Sequence, residues 1–300
     1  MDHHSSAATT ACQHPGPGSE PSGRARVAVL TGVGRSQGIG AAIARCLAAD
    51  GWDLTLSFHA DYDQRVLGAH SDTDRLADEL RELGRRIILA PGDLCDPAVP
   101  EQVIARCCTE LGSPSALVMS HCESVDSSIA DTSIESFDRH YAVNVRASWL
   151  LMKAFAQQLP KDEPVAGLEV STPHGDQRAL HHPADPSGQH REIIALTSDH
   201  TTHNLPYGAT KAALDRLVLA ATRELADLGV RANVINPGPI DTGWMTPELH
   251  SSLAAATPGG RLGNPATVGH LVRFLLSPEG AWINGQILMS NGGFSTPHVN

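Results

Sequence analysis

The stretch from Arg26 to Ala49 constrains the fold of this chain more than any other. Arg26 to Thr31 (R-V-A-V-L-T) is short, apolar and rich in branched residues, which reads as a buried strand. It runs into Gly32-Val33-Gly34-Arg35-Ser36-Gln37-Gly38-Ile39-Gly40. An alanine-rich segment follows, Ala41 to Ala49, with Ile43 and Leu47 as its larger apolar residues, and this predicts a helix. Strand, glycine-rich turn and helix in that order make the phosphate-binding corner of a dinucleotide fold. Glycine lets the backbone approach a pyrophosphate, and the helix N-terminus offers unpaired N–H groups and the positive end of its dipole. A loop that merely separated two elements would explain the glycines but not their position directly after a buried strand.

Beyond Ala49 strands and helices alternate, which implies a parallel sheet with helices on both faces. Strands are expected at Asp53–Phe58, Arg86–Ala90, Ala116–Ser120, Ile193–Thr197, Arg231–Asn236 and Gln286–Met289. Helices are expected at Asp72–Leu83, Val99–Leu111, a long one at Ile134–Leu159, one beginning near Tyr207, and one capped by Asn264-Pro265 and ending at Leu276. His59 to Ser71 reads as a polar loop. The fold class is therefore α/β, a doubly wound parallel sheet of about seven strands, and 300 residues could form one large domain or two small ones. Residues 1–23, polar and rich in Ser, Pro, Gly and His, read as a disordered tail without the apolar core of a signal peptide, and 297–300 as a second short tail. A polar insertion at about 160–191, with His174, His181, His182 and His190, interrupts the rhythm.

Charge and cysteine usage narrow the classes. A net charge of -11 with no compensating basic stripe argues against a nucleic-acid partner. No apolar run reaches the length of a membrane span. The cysteines at 12, 46, 95, 107, 108 and 122 are scattered without a C-x-x-C pair, so a reduced, cytoplasmic setting is expected.

Tyr207-Gly208-Ala209-Thr210-Lys211 carries the chemistry. Residues four apart share a helical face, so the Lys211 ammonium can sit close to the Tyr207 phenol. A nearby positive charge favours phenolate, and such a tyrosine can exchange a proton with an alcohol or carbonyl near neutral pH. The spacing also arises on ordinary exposed helices, so the pair needs its context.

That context is an ordered set of motifs. The glycine turn, Asn144 in Tyr141-Ala142-Val143-Asn144-Val145-Arg146, Ser198, Tyr207 with Lys211, Asn236-Pro237-Gly238 with Thr242, and Ile283-Asn284-Gly285-Gln286-Ile287 with Gly292-Gly293 follow one another in the chain. Over 26–294 the sequence resembles the short-chain dehydrogenase/reductase family, close to its 3-oxoacyl-carrier-protein-reductase-like members. The resemblance implies a single Rossmann-type domain, here over 24–296, and an oxidoreductase moving hydride between a nicotinamide cofactor and a carbonyl or alcohol, usually as a homodimer or homotetramer. It implies Tyr207 as general acid/base, with Lys211 holding the nicotinamide ribose and lowering the tyrosine pKa. Ser198 would bind the substrate oxygen, and Asn144 would position a water for proton relay. It further implies cofactor contacts from Gly32, Gly34, Arg35, Ser36, Gly38, Ile39 and Gly40, from Asp93 and Leu94 on the adenine side, and from Pro237, Gly238, Ile240 and Thr242 on the nicotinamide side. No metal is implied.

The chain departs from the family pattern in three places. The glycine turn is two residues longer than T-G-x-x-x-G-x-G, with Val33 where the restored spacing expects threonine. The fourth strand ends in Met119-Ser120-His121-Cys122 in place of N-N-A-G, and neighbouring His121 and Cys122 are expected to point apart. Ser198 and Tyr207 lie nine residues apart, closer than usual, joined by a loop bearing His200 and His203 that is expected to line a substrate mouth. Ser57-Phe58-His59 ends the second strand without the aspartate of many NAD-dependent relatives, and Arg35 could meet a 2′-phosphate, so NADP is expected ahead of NAD. Trp244, Met245, Pro247, Leu249 and Leu253 suit a hydrophobic or medium-sized substrate or a subunit interface. The altered strand and short loop also keep open a non-catalytic NAD(P)-binding sensor or scaffold. An isomerase of the extended relatives fits less well, since few residues follow Pro237.

Overall fold

Alternation of side chains along each strand decides which helices cover which face of the sheet. In the computed structural model, which describes residues 26–68, 70–159 and 191–295, Val27 and Val29 of β1 (Val27–Thr31) point to one core and Ala28 and Leu30 to the other. The first core packs beneath α4 (Val99–Glu110), α6 (Ala147–Gln157) and α7 (Leu205–Glu224); the second beneath α1 (Ile39–Ala49), α3 (Thr73–Glu82) and α9 (Pro265–Leu275). The remaining strands are β2 (Asp53–Phe58), β3 (Ile87–Pro91), β4 (Ala116–Met119), β5 (Arg191–Leu196), β6 (Val230–Asn236) and β7 (Ile287–Met289). All pair in parallel, in the order β3-β2-β1-β4-β5-β6-β7. The order reverses between β1 and β4, and the crevice outside the carboxyl ends of those strands is where such sheets bind ligands.

The doubly wound sheet agrees with expectation, and the Asn264 cap forms as read, its side chain accepting from Thr267 N–H at 3.0 Å. Three segments differ. The expected loop from His59 to Ser71 contains a helix, α2 (Ala60–Leu67), with Asp61 and Asp63 in its first turn, Arg65 in its last, and left-handed Gly68 closing it. The expected single helix from Ile134 to Leu159 is α5 (Ile134–His140) and α6 separated by a π-helical turn, Tyr141–Arg146. The segment after β6 forms α8 (Pro247–Ala256), capped by Thr246, with no buried residue. The expected tail at 1–23, the body of the insertion at 160–190 with its four histidines, and residues 297–300 lie outside the described residues. No helix among the described residues is long and apolar enough to cross a membrane.

Candidate active site

A cleft of about 1240 Å³ runs along the carboxyl edge of the sheet. One end is the glycine turn. Gly32 has φ +75°, and a Cβ there would lie 2.6 Å from the Ser120 carbonyl carbon and the His121 nitrogen. Only glycine fits both the conformation and that close approach to the end of β4. Val33, fully buried, donates its N–H to Ser57 O at 3.1 Å, so one residue of the longer turn points into the core. Gly34, Arg35, Gly38 and Ile39 line the cleft. Ser36 and Gly40 do not: Ser36 gives its N–H to Asp72 Oδ1 at 2.5 Å and its hydroxyl to Asp72 Oδ2, and Gly40 packs beneath the Gly32 carbonyl.

Arg35 is engaged differently from expectation. Its guanidinium donates to Thr242 O at 2.8 Å and Thr242 Oγ1 at 3.2 Å, and its Nε lies 3.3 Å from Asp63 Oδ1 on α2. It therefore bridges Thr242 and the helix that follows β2. Asp93 and Leu94 line the opposite wall. Burial would raise the Asp93 carboxyl, but the Cys95 N–H and Arg139 outweigh it and hold the group below the ordinary aspartate range. Arg139 also binds the buried Glu123, which takes Arg65 of α2 at 2.6 Å.

At the end of β4, His121 and Cys122 have different partners. His121 is buried. Its Nε2–H donates to Val143 O at 3.1 Å, with Ser148 Oγ also 3.2 Å away, which leaves Nδ1 to accept from the Thr31 hydroxyl at 2.6 Å. Burial, with Lys211 nearby, pushes this imidazole down to about 3. It therefore stays neutral and ties β1 to the π-helical turn, a strand-tying role the missing asparagine would otherwise fill. Cys122 lines the cleft, close to Tyr62 on α2 and to Lys211. Burial pushes its thiol up.

Asn144 sits in the π-helical turn, and its side chain does not reach the cleft. Oδ1 accepts from Glu123 N–H at 2.7 Å; both Nδ2 hydrogens are spent, on Glu123 O and Thr210 Oγ1, each at 2.9 Å. Thr210 in turn donates to Tyr207 O at 2.8 Å. With its donors committed, Asn144 braces the β4 loop against the first turn of α7; the amide is not arranged as a water holder.

The other end of the cleft holds Ser198 and Tyr207, whose side chains lie close together despite their short separation in the chain. The loop between them is compact because Gly208, without a side chain, lets the His200 carbonyl lie over α7. It is also pinned to the 124–128 segment: Ser127 N–H donates to His203 O and Leu205 N–H to Ser127 O, both at 3.1 Å. His203 takes a left-handed φ of +62° to make that turn, and with His200 it lines the mouth. Among the described residues no group of three or more His, Cys, Asp or Glu side chains is placed to hold a metal ion. Lys211 is buried below, its Nζ 5.6 Å from the Tyr207 ring centroid and donating to Leu196 O at 2.8 Å. The expected lowering of the phenol is not what this geometry produces. Burial and then the Cys122 thiol push Tyr207 up, only partly offset by the nearby Ser198 hydroxyl. Pro237, Gly238, Ile240, Thr242, Trp244, Leu249 and Leu253 close the far wall.

Sequence reasoning missed Tyr62, Asp63, Arg65 and Glu123, which all line this cleft. The acid–base pattern of α2 is the one signal that could have found the first three.

Comparison with known proteins agrees with this architecture. Residues 26–184 match the model of the short chain dehydrogenase family, and 177–295 match one described as enoyl-(acyl carrier protein) reductase. The chain belongs to the short-chain dehydrogenase/reductase family and is an oxidoreductase of that family. It is 31% identical to the uncharacterized oxidoreductase YjdA of Bacillus subtilis over 90% of this chain and 96% of that protein. It is also 31% identical to an NADPH-dependent aldehyde reductase-like chloroplastic protein of Arabidopsis thaliana, over 90% and 94%. Among solved structures, a blue fluorescent protein from a metagenomic library in complex with NADPH superposes with TM-score 0.74 at 26% identity, covering 91% of this chain and 99% of that one. A Burkholderia cenocepacia short chain dehydrogenase in complex with NADP gives 0.72 at 25% identity, covering 90% and 98%.

Proposed function

We propose that this protein uses NADP(H) to reduce a small carbonyl compound, aldehydes foremost, with Tyr207 as the proton donor. The observation that carries the reading is the Tyr207 ring 5.6 Å from the Nζ of buried Lys211, with Ser198 beside it, in the same cleft as a glycine-rich phosphate turn. NADP complexes of similar proteins and the aldehyde reductase relative support the cofactor and the substrate class. The residues present fit a dinucleotide: the turn already holds an anionic group, the Asp63 carboxylate, against Gly34 and Arg35. Gly34, Gly38 and Ile39 would hold the phosphates, Asp93 and Leu94 the adenine side, and Pro237, Gly238, Ile240 and Thr242 the nicotinamide side.

The bound nicotinamide supplies the hydride; the chain handles the proton. A phenol pushed up by burial is protonated at neutral pH, the form that donates to a carbonyl oxygen as it gains charge. Ser198, beside that phenol in the cleft, would donate to the same oxygen and fix its position. The Lys211 ammonium, held by Leu196 O, stabilises the phenolate left behind. Asn144 acts at one remove, bracing the turn that carries Tyr207. The exposed Phe137–Tyr141 stack (centroids 5.0 Å apart) and Trp149 form an apolar surface suited to a second copy in a homodimer or homotetramer.

The test is a panel of aldehydes and ketones offered to the purified protein with NADPH, followed optically. Tyr207→Phe should cut turnover by about 10³-fold while NADPH binding changes less than about twofold. Tight NADPH binding without turnover, unchanged in Tyr207→Phe, would instead make the protein a nucleotide sensor.

A further inference from the structure

Helix α2 lies across the cleft, and its side chains reach three points on the cofactor walls. Asp63, buried, sets its carboxylate against Gly34 and within 3.3 Å of Arg35 Nε, filling the space a side chain at position 34 would need. Tyr62 lines the cleft close to Cys122, just beyond the end of β4. Arg65 binds Glu123 with one nitrogen, 2.6 and 2.8 Å from its two oxygens. The glycine turn and the end of β4 flank the point where the strand order reverses, so these contacts bridge the route a dinucleotide takes along the sheet edge.

An eight-residue helix is marginal on its own, and among its described side chains α2 buries only Asp63. Polar contacts hold it in place. A cofactor phosphate can replace the chief of these, because it presents the same charge to the same guanidinium and the same turn. Carboxylate and phosphate cannot share that turn, being like charges competing for one position. Burial outweighs Arg35 in its effect on Asp63 and pushes that carboxyl up, which marks the ion pair as one formed against a desolvation cost.

We propose that α2 is a displaceable cover of the dinucleotide cleft, and that Asp63 holds the place of a cofactor phosphate at the glycine turn until binding transfers Arg35 to that phosphate. The proposal rests on NADP(H) being the cofactor. Cofactor affinity is then reduced by the fraction of molecules in which α2 is closed. Thr242, bound to the other face of the Arg35 guanidinium, is positioned to sense the same exchange at the nicotinamide end.

Binding, not turnover, tests it. The full chain, as wild type, Asp63→Asn and Arg65→Ala, is titrated with NADPH by fluorescence and mixed with NADPH in stopped flow. Hydrogen exchange of the α2 amides is followed in the wild type with and without NADPH. Asp63→Asn should tighten NADPH about three- to tenfold, with the gain in the association rate. Arg65→Ala, remote from the glycine turn, should raise the association rate about twofold or more by loosening the other end of α2. The α2 amides should lose protection when NADPH binds. Weaker or unchanged NADPH binding by Asp63→Asn, or α2 amides that gain protection on binding, would show α2 to be a fixed wall and overturn the proposal. If Asp63→Asn proves unfolded, Arg65→Ala and the wild-type exchange decide. A protein that binds NADPH as expected but reduces no carbonyl would refute the proposed reaction alone. No NADPH binding by any of the three would refute the cofactor assignment and this proposal with it.

Discussion

The two ends of the cleft are built by opposite means. At the catalytic end the reactive groups are held largely through backbone: Lys211 by the Leu196 carbonyl, the Ser198–Tyr207 loop by strand-like bonds to Ser127, and α7 by the Asn144–Thr210–Tyr207 relay. At the phosphate end the closing contacts are side-chain ion pairs from a short helix, Asp63–Arg35 and Arg65–Glu123. Backbone bonds within a packed sheet and helix are expensive to break, whereas ion pairs formed against a desolvation cost contribute little net stability, and a guanidinium can exchange one anion for another. Chemistry is thus assembled in advance, and the cofactor end is left to rearrange.

If the catalytic end is preassembled, removing one charge from it should cost rate and not structure around it. Lys211→Met keeps most of the stem but leaves the phenolate without its cation. We expect kcat/KM for carbonyl reduction to fall by about 10² to 10³-fold, with NADPH affinity changed much less. A loss below about tenfold, measured by steady-state kinetics, would mean that Lys211 only packs.

One part of the phosphate end is rigid, and it marks where the comparison should break. Gly32 combines φ +75° with direct contact to the Ser120–His121 backbone. Gly32→Ala strains the backbone and forces the turn away from β4. It should destabilise the protein by about 2–3 kcal/mol in chemical unfolding and weaken NADPH by about tenfold or more. Unchanged affinity would mean that the glycine turn, like α2, is adjustable.

What could be read in the sequence follows the same division. The sheet, α1 and the Ser198–Tyr207–Lys211 group depend on local periodicity and spacing, so strands such as Asp53–Phe58 were expected at their observed bounds. Helix α2 was not, because Ala60–Leu67 has too few apolar residues to form a stripe and is held by partners distant in sequence, Arg35 and Glu123. The π-helical turn at Asn144 has no periodic signature, so the segment read as one continuous helix. The role of His121 depends on Thr31, 90 residues away, and on Val143, neither of which a motif specifies. The residue types at the active site were legible, but their hydrogen-bond assignments were not. Asn144 is engaged by Glu123 and Thr210, and Arg35 by Thr242 and Asp63, partners that no motif names.

His121 tests whether the bridge between the two ends is structural. His121→Ala leaves the Thr31 hydroxyl and Val143 carbonyl unpartnered in a buried space and opens a cavity. We expect a loss of about 2–4 kcal/mol in stability, with turnover per folded molecule reduced only a few-fold. His121→Asn, able to meet one of the two partners, should recover part of the stability. A catalytic defect of a hundredfold in a fully folded His121→Ala protein would instead place His121 in the chemistry.

The smallest effect, and the finest test of the catalytic end, is the shape of its pH profile. Burial moves the two key groups in opposite directions, raising the Tyr207 phenol and lowering the Lys211 ammonium. A raised phenol keeps its proton to higher pH, so the donor for carbonyl reduction persists through the neutral range. The rate should therefore be nearly flat between about pH 6 and 8, since His121, pushed down to about 3, does not titrate there. As pH rises further, Lys211 loses its proton earlier than an ordinary lysine, and the cation that stabilises the phenolate goes with it. The first alkaline decline in kcat/KM then belongs to Lys211, so it should vanish from the residual activity of Lys211→Met. A decline that survives in that variant at the same pH would assign it to Tyr207, and the phenol would then titrate lower than its buried setting implies.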